Sequence, residues 1–277
     1  MGAALKPAAF DYVAARSLEE ALAALAAGGD DAKPIAGGQS LVPALNMRLL
    51  RPTLLVDLNR AGLDGLTREN GSLRVGAMVR QGALERCVDA HPLVREALAH
   101  VGHVGTRSRG TVGGSIAHAD GGAELPLCLA ALGGTIVVEG PNGRREVAPA
   151  DFFVTHYFTT LQPGELVVVT VWPTARAGEG FAFEELALRA GDYALAMVAV
   201  SGTTVAVGAV TDRPTVLAEV GALLAGGDAS DELAREAGAL AATLVDPPGH
   251  IHASPAYLKH LPCVLVERAL RRSWTSS

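Results

Sequence analysis

Two short segments, each with two adjacent glycines and a final serine, hold the residues of this chain best suited to bind an anion. The first is Ala36-Gly37-Gly38-Gln39-Ser40, and the second is Thr111-Val112-Gly113-Gly114-Ser115. Because glycine lacks a Cβ, neighbouring backbone N–H groups can approach a ligand and point in one direction. The serine hydroxyls and the side chains of Gln39 and Thr111 add further donors. The pair predicts a split cradle for one long anionic ligand.

A pyrophosphate is the anion that such a cradle suits. It needs several N–H and hydroxyl donors that converge from both sides, and charge-assisted hydrogen bonds contribute about 1.5–3 kcal/mol each. Neither GxGxxG nor GxxxxGK[ST] occurs in the chain, so the best-known dinucleotide and P-loop signatures are absent. One glycine segment alone would indicate an ordinary strand-to-helix turn. Two of them in this order favour a ligand site.

Two histidine-containing segments have residue types for other chemistry. His118-Ala119-Asp120 could do acid–base work, but a hydrogen-bonded surface turn is the favoured interpretation. His250 and His252 lack a third carboxylate or thiolate nearby, so a polar linker is favoured over a metal site. No GxSxG segment supports a hydrolase. We therefore expect no metal ligands and no catalytic acid–base pair in this chain.

The cysteines and the charge balance exclude further classes. The chain has only three cysteines, with no CxxC spacing, which argues against a zinc site or an iron–sulfur cluster held by this chain alone and favours reduced thiols. The net charge of −6 and pI near 5.8 argue against a nucleic-acid partner. No uncharged run of membrane-spanning length and no secretory signal occurs. The expected location is the cytoplasm, with peripheral attachment at the inner membrane face as an alternative.

The elements around the first segment predict a small βαβ unit. Ser17 and Glu20 form a capping box that starts a helix ending near Gly28. Residues 33–36 are predicted as a strand that enters the first segment, a helical piece follows as far as Arg48, and residues 53–58 are predicted as a buried strand. The second segment is likewise predicted as a loop that follows an extended stretch and precedes an apolar helix.

A length of 277 residues predicts two domains. The composition changes at residues 174–180, which we take as their boundary. Before it, the pattern predicts a helix over 124–132, a hairpin turning at Pro141-Asn142-Gly143 and a strand over 165–172. Beyond it, strands are predicted at 181–188, 194–200 and 203–210, and helices at 214–224, 231–244 and 255–271.

The residues around both segments resemble those of the FAD-binding medium subunit of molybdenum hydroxylases, the carbon monoxide dehydrogenase and xanthine dehydrogenase type. The matching stretches run in order over nearly the whole chain: residues 36–41, 46–49, 109–115, 117–120, 123–126, 150–153, 164–166, 191–194, 214–219 and 256–257. The resemblance implies an α+β fold. A two-subdomain FAD-binding domain of the vanillyl-alcohol-oxidase (PCMH) type would span 1–176, with subdomains of about 1–58 and 59–176. A C-terminal domain of the carbon monoxide dehydrogenase flavoprotein type, with a small antiparallel sheet and helices, would span 177–277.

The resemblance also implies a set of FAD contacts. Glu124 would bind the adenosine side of FAD or support the neighbouring loop, Leu166 would lie beside the isoalloxazine, and Tyr193 would approach the ring from the C-terminal domain. No histidine occupies the first segment, so non-covalent FAD is expected. The expected contacts are Ala36, Gly37, Gly38, Gln39, Ser40, Leu41, Thr111, Gly113, Gly114, Ser115, Ala117, Glu124, Leu166 and Tyr193. A Gly113→Val substitution is expected to fill the diphosphate space and leave the fold intact.

The function implied by the resemblance is electron transfer. A large molybdopterin subunit would hydroxylate the substrate, and a small subunit with two [2Fe–2S] clusters would carry electrons to FAD on this chain. FAD would pass them to a quinone, NAD or dioxygen, in a complex expected to be a dimer of heterotrimers. Two alternatives stay open: a stand-alone flavin oxidase, and a flavin-free assembly subunit. The second is kept open by Gly121-Gly122, which stands where the family often has Pro-Ala.

Overall fold

The computed structural model describes residues 7–275 and combines helices with four β-sheets. This α+β mixture confirms the predicted fold class. Residues 1–6, part of the stretch in which no secretory signal is found, and residues 276–277 lie outside the described part of the chain. Within residues 7–275, no helix is long and apolar enough to cross a membrane.

The N-terminal unit is a three-stranded parallel sheet in the order β1-β3-β2. Its elements are β1 (Asp11–Ala14), α1 (Leu18–Gly28), a 3₁₀ turn (Gly29–Asp31), β2 (Ala32–Ile35), α2 (Leu41–Asn46) and β3 (Leu54–Asp57). Ser17 accepts a hydrogen bond from the Glu20 N–H at 3.2 Å, so the predicted cap is confirmed. The first glycine segment connects β2 to α2, as predicted. Strand β1 was not predicted from the sequence.

The middle unit is a five-stranded antiparallel sheet in the order β4-β5-β10-β6-β7, with helices on one side and a small β8-β9 hairpin. Its first elements are β4 (Leu66–Glu69), β5 (Ser72–Gly76), α3 (Gln81–Glu85), α4 (Pro92–Leu98), α5 (Val104–Arg109), α6 (Val112–His118) and α7 (Glu124–Ala131). The others are β6 (Thr135–Gly140), β7 (Gly143–Val147), α8 (Pro149–Phe152), β8 (Phe153–Thr155), β9 (Phe158–Thr159) and β10 (Leu166–Pro173).

The C-terminal unit is a four-stranded antiparallel sheet in the order β11-β12-β13-β14. Its elements are β11 (Phe181–Ala187), β12 (Ala194–Ser201), β13 (Thr204–Gly208), β14 (Thr215–Val216), α9 (Ala218–Ala225), α10 (Asp231–Thr243) and α11 (Pro255–Thr275). The helix predicted from residue 214 is wrong at its start. Thr215 and Val216, both β-branched, pair with the edge of β13 instead, and the helix begins at Ala218.

The C-terminal sheet is covered on both faces, which fixes it to the middle unit. Phe183, Met197 and Ala206 on one face belong to the same hydrophobic core as Leu127 of α7. The other face packs in a second core with α10 and α11. Because a shared core holds these elements, the chain that enters β12 has a definite position relative to the middle unit.

Candidate functional site

The first glycine segment is an open loop that offers unpaired donors. Gly38 has a φ of +72°, a left-handed conformation that favours glycine. Within residues 7–275, the backbone N–H groups of Gly37, Gly38, Gln39 and Ser40 donate no hydrogen bond. These groups are free to donate to a bound anion. Gln39 turns its side chain back to the Gly37 carbonyl oxygen at 3.3 Å, which stabilises the loop.

The second segment is the first turn of helix α6, and the prediction of a loop is wrong there. Thr111 caps the helix by accepting a hydrogen bond from the Gly114 N–H at 3.1 Å. Gly113 donates to the Ala77 carbonyl oxygen at 2.8 Å, and Ser115 donates to that of Thr111 at 3.1 Å. The preceding residues form helix α5 rather than an extended stretch. These N–H groups are therefore already paired.

Gly113 faces the protein interior, which corrects the expectation for Gly113→Val. A Cβ on Gly113 would overlap the Ala77 Cβ and lie 2.7 Å from the Ala77 Cα. Both residues are buried, and Ala77 directly follows the last residue of β5. A valine would therefore disrupt the contact between α6 and the sheet. The expectation of an intact fold is wrong because the helical turn points this glycine inward.

The two segments are brought together, backbone against backbone. A Cβ on Gly37 would overlap the carbonyl oxygen of Arg109 and lie 2.8 Å from the Cα of Gly110. Gly110 immediately precedes Thr111, so the first loop lies directly against the start of the second segment. This close approach requires glycine at position 37.

Asn59 and Arg80 connect the two segments, and the sequence analysis identified neither. The Asn59 side-chain amide donates to the Ala36 carbonyl oxygen at 3.3 Å, and its oxygen accepts a hydrogen bond from Arg80. Arg80 also donates to the carbonyl oxygen of Arg109. Burial lowers the pKa of Arg80, and the nearby Arg109 lowers it further. The only sequence signal is that Asn59 follows a strand whose C-terminal end lies beside the loop.

Asp57 anchors this connection from the end of β3. Its carboxylate accepts hydrogen bonds from the Tyr12 hydroxyl and from the Asn59 N–H, the latter at 2.9 Å. Burial raises the pKa of Asp57, but the hydrogen bonds from Tyr12 and Asn59 outweigh it and leave the pKa below its usual value. Asp57 therefore stays ionised and holds Asn59 in place.

The turn after α6 is buried, whereas a surface turn was favoured from the sequence. Asp120 is 8% exposed, and its carboxylate accepts hydrogen bonds from the Gly122 N–H at 2.9 Å and the Tyr157 hydroxyl at 3.1 Å. The Tyr193 hydroxyl interacts with the side chains of both Asp120 and Ser40. Tyr193 thus brings the C-terminal unit to the first glycine segment, although no local sequence pattern connects these residues.

The two other expected contacts from the middle unit are buried. Glu124 begins α7, and burial, followed by the nearby acids Glu185 and Asp120, raises its pKa to about 8. The carboxyl is therefore largely neutral at pH 7 and can donate a hydrogen bond. Leu166 is 4% exposed and packs in the core between the N-terminal unit and the sheet. Contact of either residue with FAD stays a prediction.

The remaining sequence candidates are placed as follows. Leu41 and Ala117 are half-buried, at the start of α2 and within α6. The rings of His250 and His252 lie 5.1 Å apart. Across residues 7–275, no group of three or more His, Cys, Asp or Glu side chains could hold a metal ion.

The geometry fits a diphosphate-containing cofactor. Four unpaired N–H groups lie on a loop that leaves the carboxyl end of a parallel strand, with a serine hydroxyl and a tyrosine beside them. Convergent N–H donors without side-chain obstruction are what a phosphate oxygen requires. No covalent attachment point of the histidyl type is present in the loop.

The comparisons with known proteins agree with this geometry. The family model described as "FAD binding domain in molybdopterin dehydrogenase" matches residues 8–175, and "CO dehydrogenase flavoprotein C-terminal domain" matches residues 181–273. The chain is 34% identical over 280 residues to the carbon monoxide dehydrogenase medium chain of Afipia carboxidovorans, covering 96% of this chain and 97% of that protein.

Two further similarities extend the comparison. The chain is 45% identical over 195 residues to the 6-hydroxypseudooxynicotine dehydrogenase complex subunit alpha of Paenarthrobacter nicotinovorans, which covers 69% of this chain and 66% of that protein. The crystal structure of quinoline 2-oxidoreductase from Pseudomonas putida 86 matches with a TM-score of 0.91 at 37% identity, covering 98% of this chain and 99% of that chain.

Proposed function

Because this chain belongs to the family of FAD-binding medium subunits of molybdenum hydroxylases, we propose that residues 36–40 hold the FAD diphosphate and that residues 111–115 support them. The observation that carries this proposal is the set of unpaired N–H groups on a loop seated against the start of α6. The donors come mainly from the first segment. The second segment adds the Ser115 hydroxyl and the rigid backing of a capped helix.

The function is electron transfer. When bound, FAD would supply the redox chemistry: it would accept electrons from the [2Fe–2S] clusters of a small partner subunit, which receives them from the molybdenum of a large one, and would pass them to an external acceptor such as a quinone, NAD or dioxygen. The residues of this chain bind and orient the cofactor. Since residues 36–40 contain no histidine, attachment is non-covalent and depends on these hydrogen bonds.

Three side chains complete the proposed site. Tyr193 approaches the isoalloxazine from the C-terminal domain, because its hydroxyl interacts with Ser40 and its side chain is 64% exposed. Glu124, largely neutral at pH 7, donates a hydrogen bond on the adenosine side or supports the turn before it. Leu166 stabilises the sheet beneath the ring. The full set is Ala36, Gly37, Gly38, Gln39, Ser40, Leu41, Thr111, Gly113, Gly114, Ser115, Ala117, Glu124, Leu166 and Tyr193, with Gly113 acting through packing.

We also propose that the chain has two domains and assembles with its partner subunits into a larger complex. The FAD-binding domain covers residues 1–176, with subdomains of about 1–58 and 59–176, and the C-terminal domain covers 177–277. The complex is a dimer of heterotrimers in the cytoplasm. Size-exclusion chromatography with light scattering on the co-expressed subunits tests the stoichiometry, and a mass equal to one heterotrimer contradicts it.

Gly37→Ala tests the proposed FAD site. Its Cβ would overlap the Arg109 carbonyl oxygen and separate the two segments, so we expect FAD to bind at least about tenfold more weakly, a loss of about 1.4 kcal/mol. Titration calorimetry of the ligand-free protein with FAD measures this. Gly105→Ala is the control, since a Cβ there meets nothing within 4 Å.

Two results would contradict the site. One is a folded Gly37→Ala protein whose affinity for FAD matches that of the Gly105→Ala control. The other is a wild-type protein that stays colourless after incubation with FAD. Gly38→Ala provides a second variant that tests the same loop. Because Gly38 has a positive φ, an alanine there raises the free energy of the loop conformation by about 1–2 kcal/mol.

A further inference from the structure

The turn formed by residues 119–123, here called the junction turn, connects three parts of the molecule. The Ala119 carbonyl oxygen accepts a hydrogen bond from the Tyr157 N–H at 2.8 Å, and the Gly121 N–H donates to the His156 Nδ1 at 3.2 Å. The Gly121 carbonyl oxygen accepts from the Ala209 N–H at 2.8 Å. The junction turn therefore holds the β8-β9 hairpin on one side and the C-terminal sheet on the other.

Gly121 allows the hairpin to approach this closely. A Cβ on Gly121 would lie 2.7 Å from the Nδ1 of His156, inside the distance of any ordinary contact. The Gly121-Gly122 pair, which departs from the family pattern, thus has a packing role in this chain. A proline at position 121 would also lack the N–H that binds His156.

Asp120 places a negative charge at the centre of the junction turn. The carboxylate is 8% exposed and forms no ion pair with any residue of the described chain. Its hydrogen-bond donors are the Gly122 N–H and the Tyr157 hydroxyl, and the Tyr193 hydroxyl lies beside it. A buried carboxylate without a cation costs folding free energy, so a role in packing alone does not account for it.

The two tyrosines beside Asp120 come from different parts of the chain, and Tyr193 is the one that reaches the first glycine segment. Tyr157 is 60% exposed, has a φ of +59°, and lies with its ring 4.9 Å from that of His118. Tyr193 is 64% exposed and also interacts with Ser40. A non-glycine residue with positive φ is strained, and such strain often accompanies functional sites. The Asp120 carboxylate thus binds one exposed aromatic side chain, Tyr157, and lies beside a second, Tyr193, which reaches Ser40.

We propose that Asp120 is a positioning residue for the flavin: it holds Tyr157 by a hydrogen bond, it lies beside Tyr193, which reaches Ser40, and its charge lowers the reduction potential of bound FAD. This proposal rests on the proposed FAD site. A fixed anion opposes the arrival of further negative charge nearby, and it does so more strongly where water is excluded. A lower potential favours the onward transfer of electrons to the acceptor.

The protonation states around Asp120 support this arrangement. Burial, together with the charge and hydrogen bond of Asp120, raises the pKa of Tyr157 to about 12. The hydroxyl therefore stays protonated at neutral pH and remains a donor. Burial lowers the pKa of His118, although Asp120 opposes this change. The lowered pKa favours the neutral form of the His118 ring.

Asp120→Asn tests the proposal, with Asp212→Asn as a matched control. Asp212 also accepts a hydrogen bond from the β8-β9 hairpin, from the Thr155 hydroxyl at 3.1 Å, but on an exposed side of it. In the ligand-free protein, hydrogen exchange should accelerate at residues 156–158 and 192–194 in Asp120→Asn only. In the FAD-loaded protein, the midpoint potential should shift to a more positive value in Asp120→Asn only.

Tyr157→Phe separates the hydrogen bond from the charge. It should accelerate exchange at residues 156–158 and leave the potential below that of Asp120→Asn, because the carboxylate remains. An Asp120→Asn protein with wild-type exchange and wild-type potential would overturn the proposal, as would an equal effect of Asp212→Asn. A wild-type protein that binds no FAD would instead overturn the proposed function, while the exchange experiment would still test whether Asp120 holds the tyrosines.

Discussion

Residues 36–40 and residues 111–115 have nearly the same composition and lie against each other, yet they use glycine in opposite ways. In the first segment, Gly38 adopts a left-handed conformation and the neighbouring N–H groups remain unpaired. In the second, Gly113 and Gly114 lie in a helical turn whose N–H groups are paired. Glycine thus frees donors in one place and permits close packing in the other.

The difference arises from what surrounds each segment. The first follows β2 at the edge of a parallel sheet, and its backbone has left the ladder before α2 begins. The second starts at Thr111, whose side chain caps α6 and commits the following residues to a helix. A glycine pair with a serine therefore does not by itself identify donors for a ligand. The pairing of the backbone N–H groups does.

The largest expected effect comes from Gly113→Val, which tests the packing role of the second segment. The added atoms would overlap buried Ala77, so the free energy of unfolding should fall by about 3 kcal/mol or more. Thermal or chemical unfolding of the ligand-free protein measures this. Gly65→Val is the control, since a Cβ at Gly65 meets nothing within 4 Å. A stable Gly113→Val protein with lost FAD binding would show that position 113 faces the ligand after all.

An intermediate effect is expected from Glu124→Gln, which tests the protonation of the first residue of α7. Burial raises the pKa of Glu124 from 4.5 to about 8, so the folded protein retains a proton that the unfolded chain releases. The wild-type free energy of unfolding should therefore fall as pH rises from about 4.5 to 8, by at most about 1.4 kcal/mol per pH unit for this group. Stability of the ligand-free protein, measured by denaturant unfolding over this pH range, should fall less steeply in the variant.

The difference between the wild-type and Glu124→Gln curves reports the titration of Glu124 together with its interaction with Glu185. Burial raises the pKa of Glu185 to about 7, so Glu185 titrates in the same range in both proteins. Glu146→Gln, on an exposed strand, controls for the substitution itself. A pH-independent difference between the two curves would mean that Glu124 does not titrate in this range.

The smallest effect is expected from Ser115→Ala. Its hydroxyl forms no hydrogen bond with any residue of the described part of the chain, so stability should change by no more than about 0.5 kcal/mol. FAD affinity should fall by up to about tenfold, corresponding to one hydrogen bond of about 0.5–1.5 kcal/mol. Fluorescence titration with FAD measures the affinity. Unchanged affinity would mean that the second segment contributes packing but no hydrogen bond to FAD, unlike the first segment.

Most local elements of the fold were predictable from the sequence. The capped helix α1, the strand entering the first loop and the strands of the C-terminal sheet all have clear local signals. Helix α6 was not predicted, because two glycines disfavour a helix and its stability comes from the Thr111 cap and from packing on Ala77. Strand β14 was absorbed into a predicted helix because two residues have no period of their own.

The candidate site likewise has one part that the sequence predicts and another that only the tertiary structure shows. Through the order of its motifs and their resemblance to a known family, the sequence by itself determined the class of cofactor, and its glycine content marked both segments as candidates. Only the tertiary structure showed which of the two segments keeps unpaired donors. Only the tertiary structure decided that Gly113 points inward and that Asn59 and Arg80 connect the segments. It also placed Tyr157 and Tyr193 on one buried carboxylate. These contacts join residues far apart in the chain, and only the packing of separate cores brings them together.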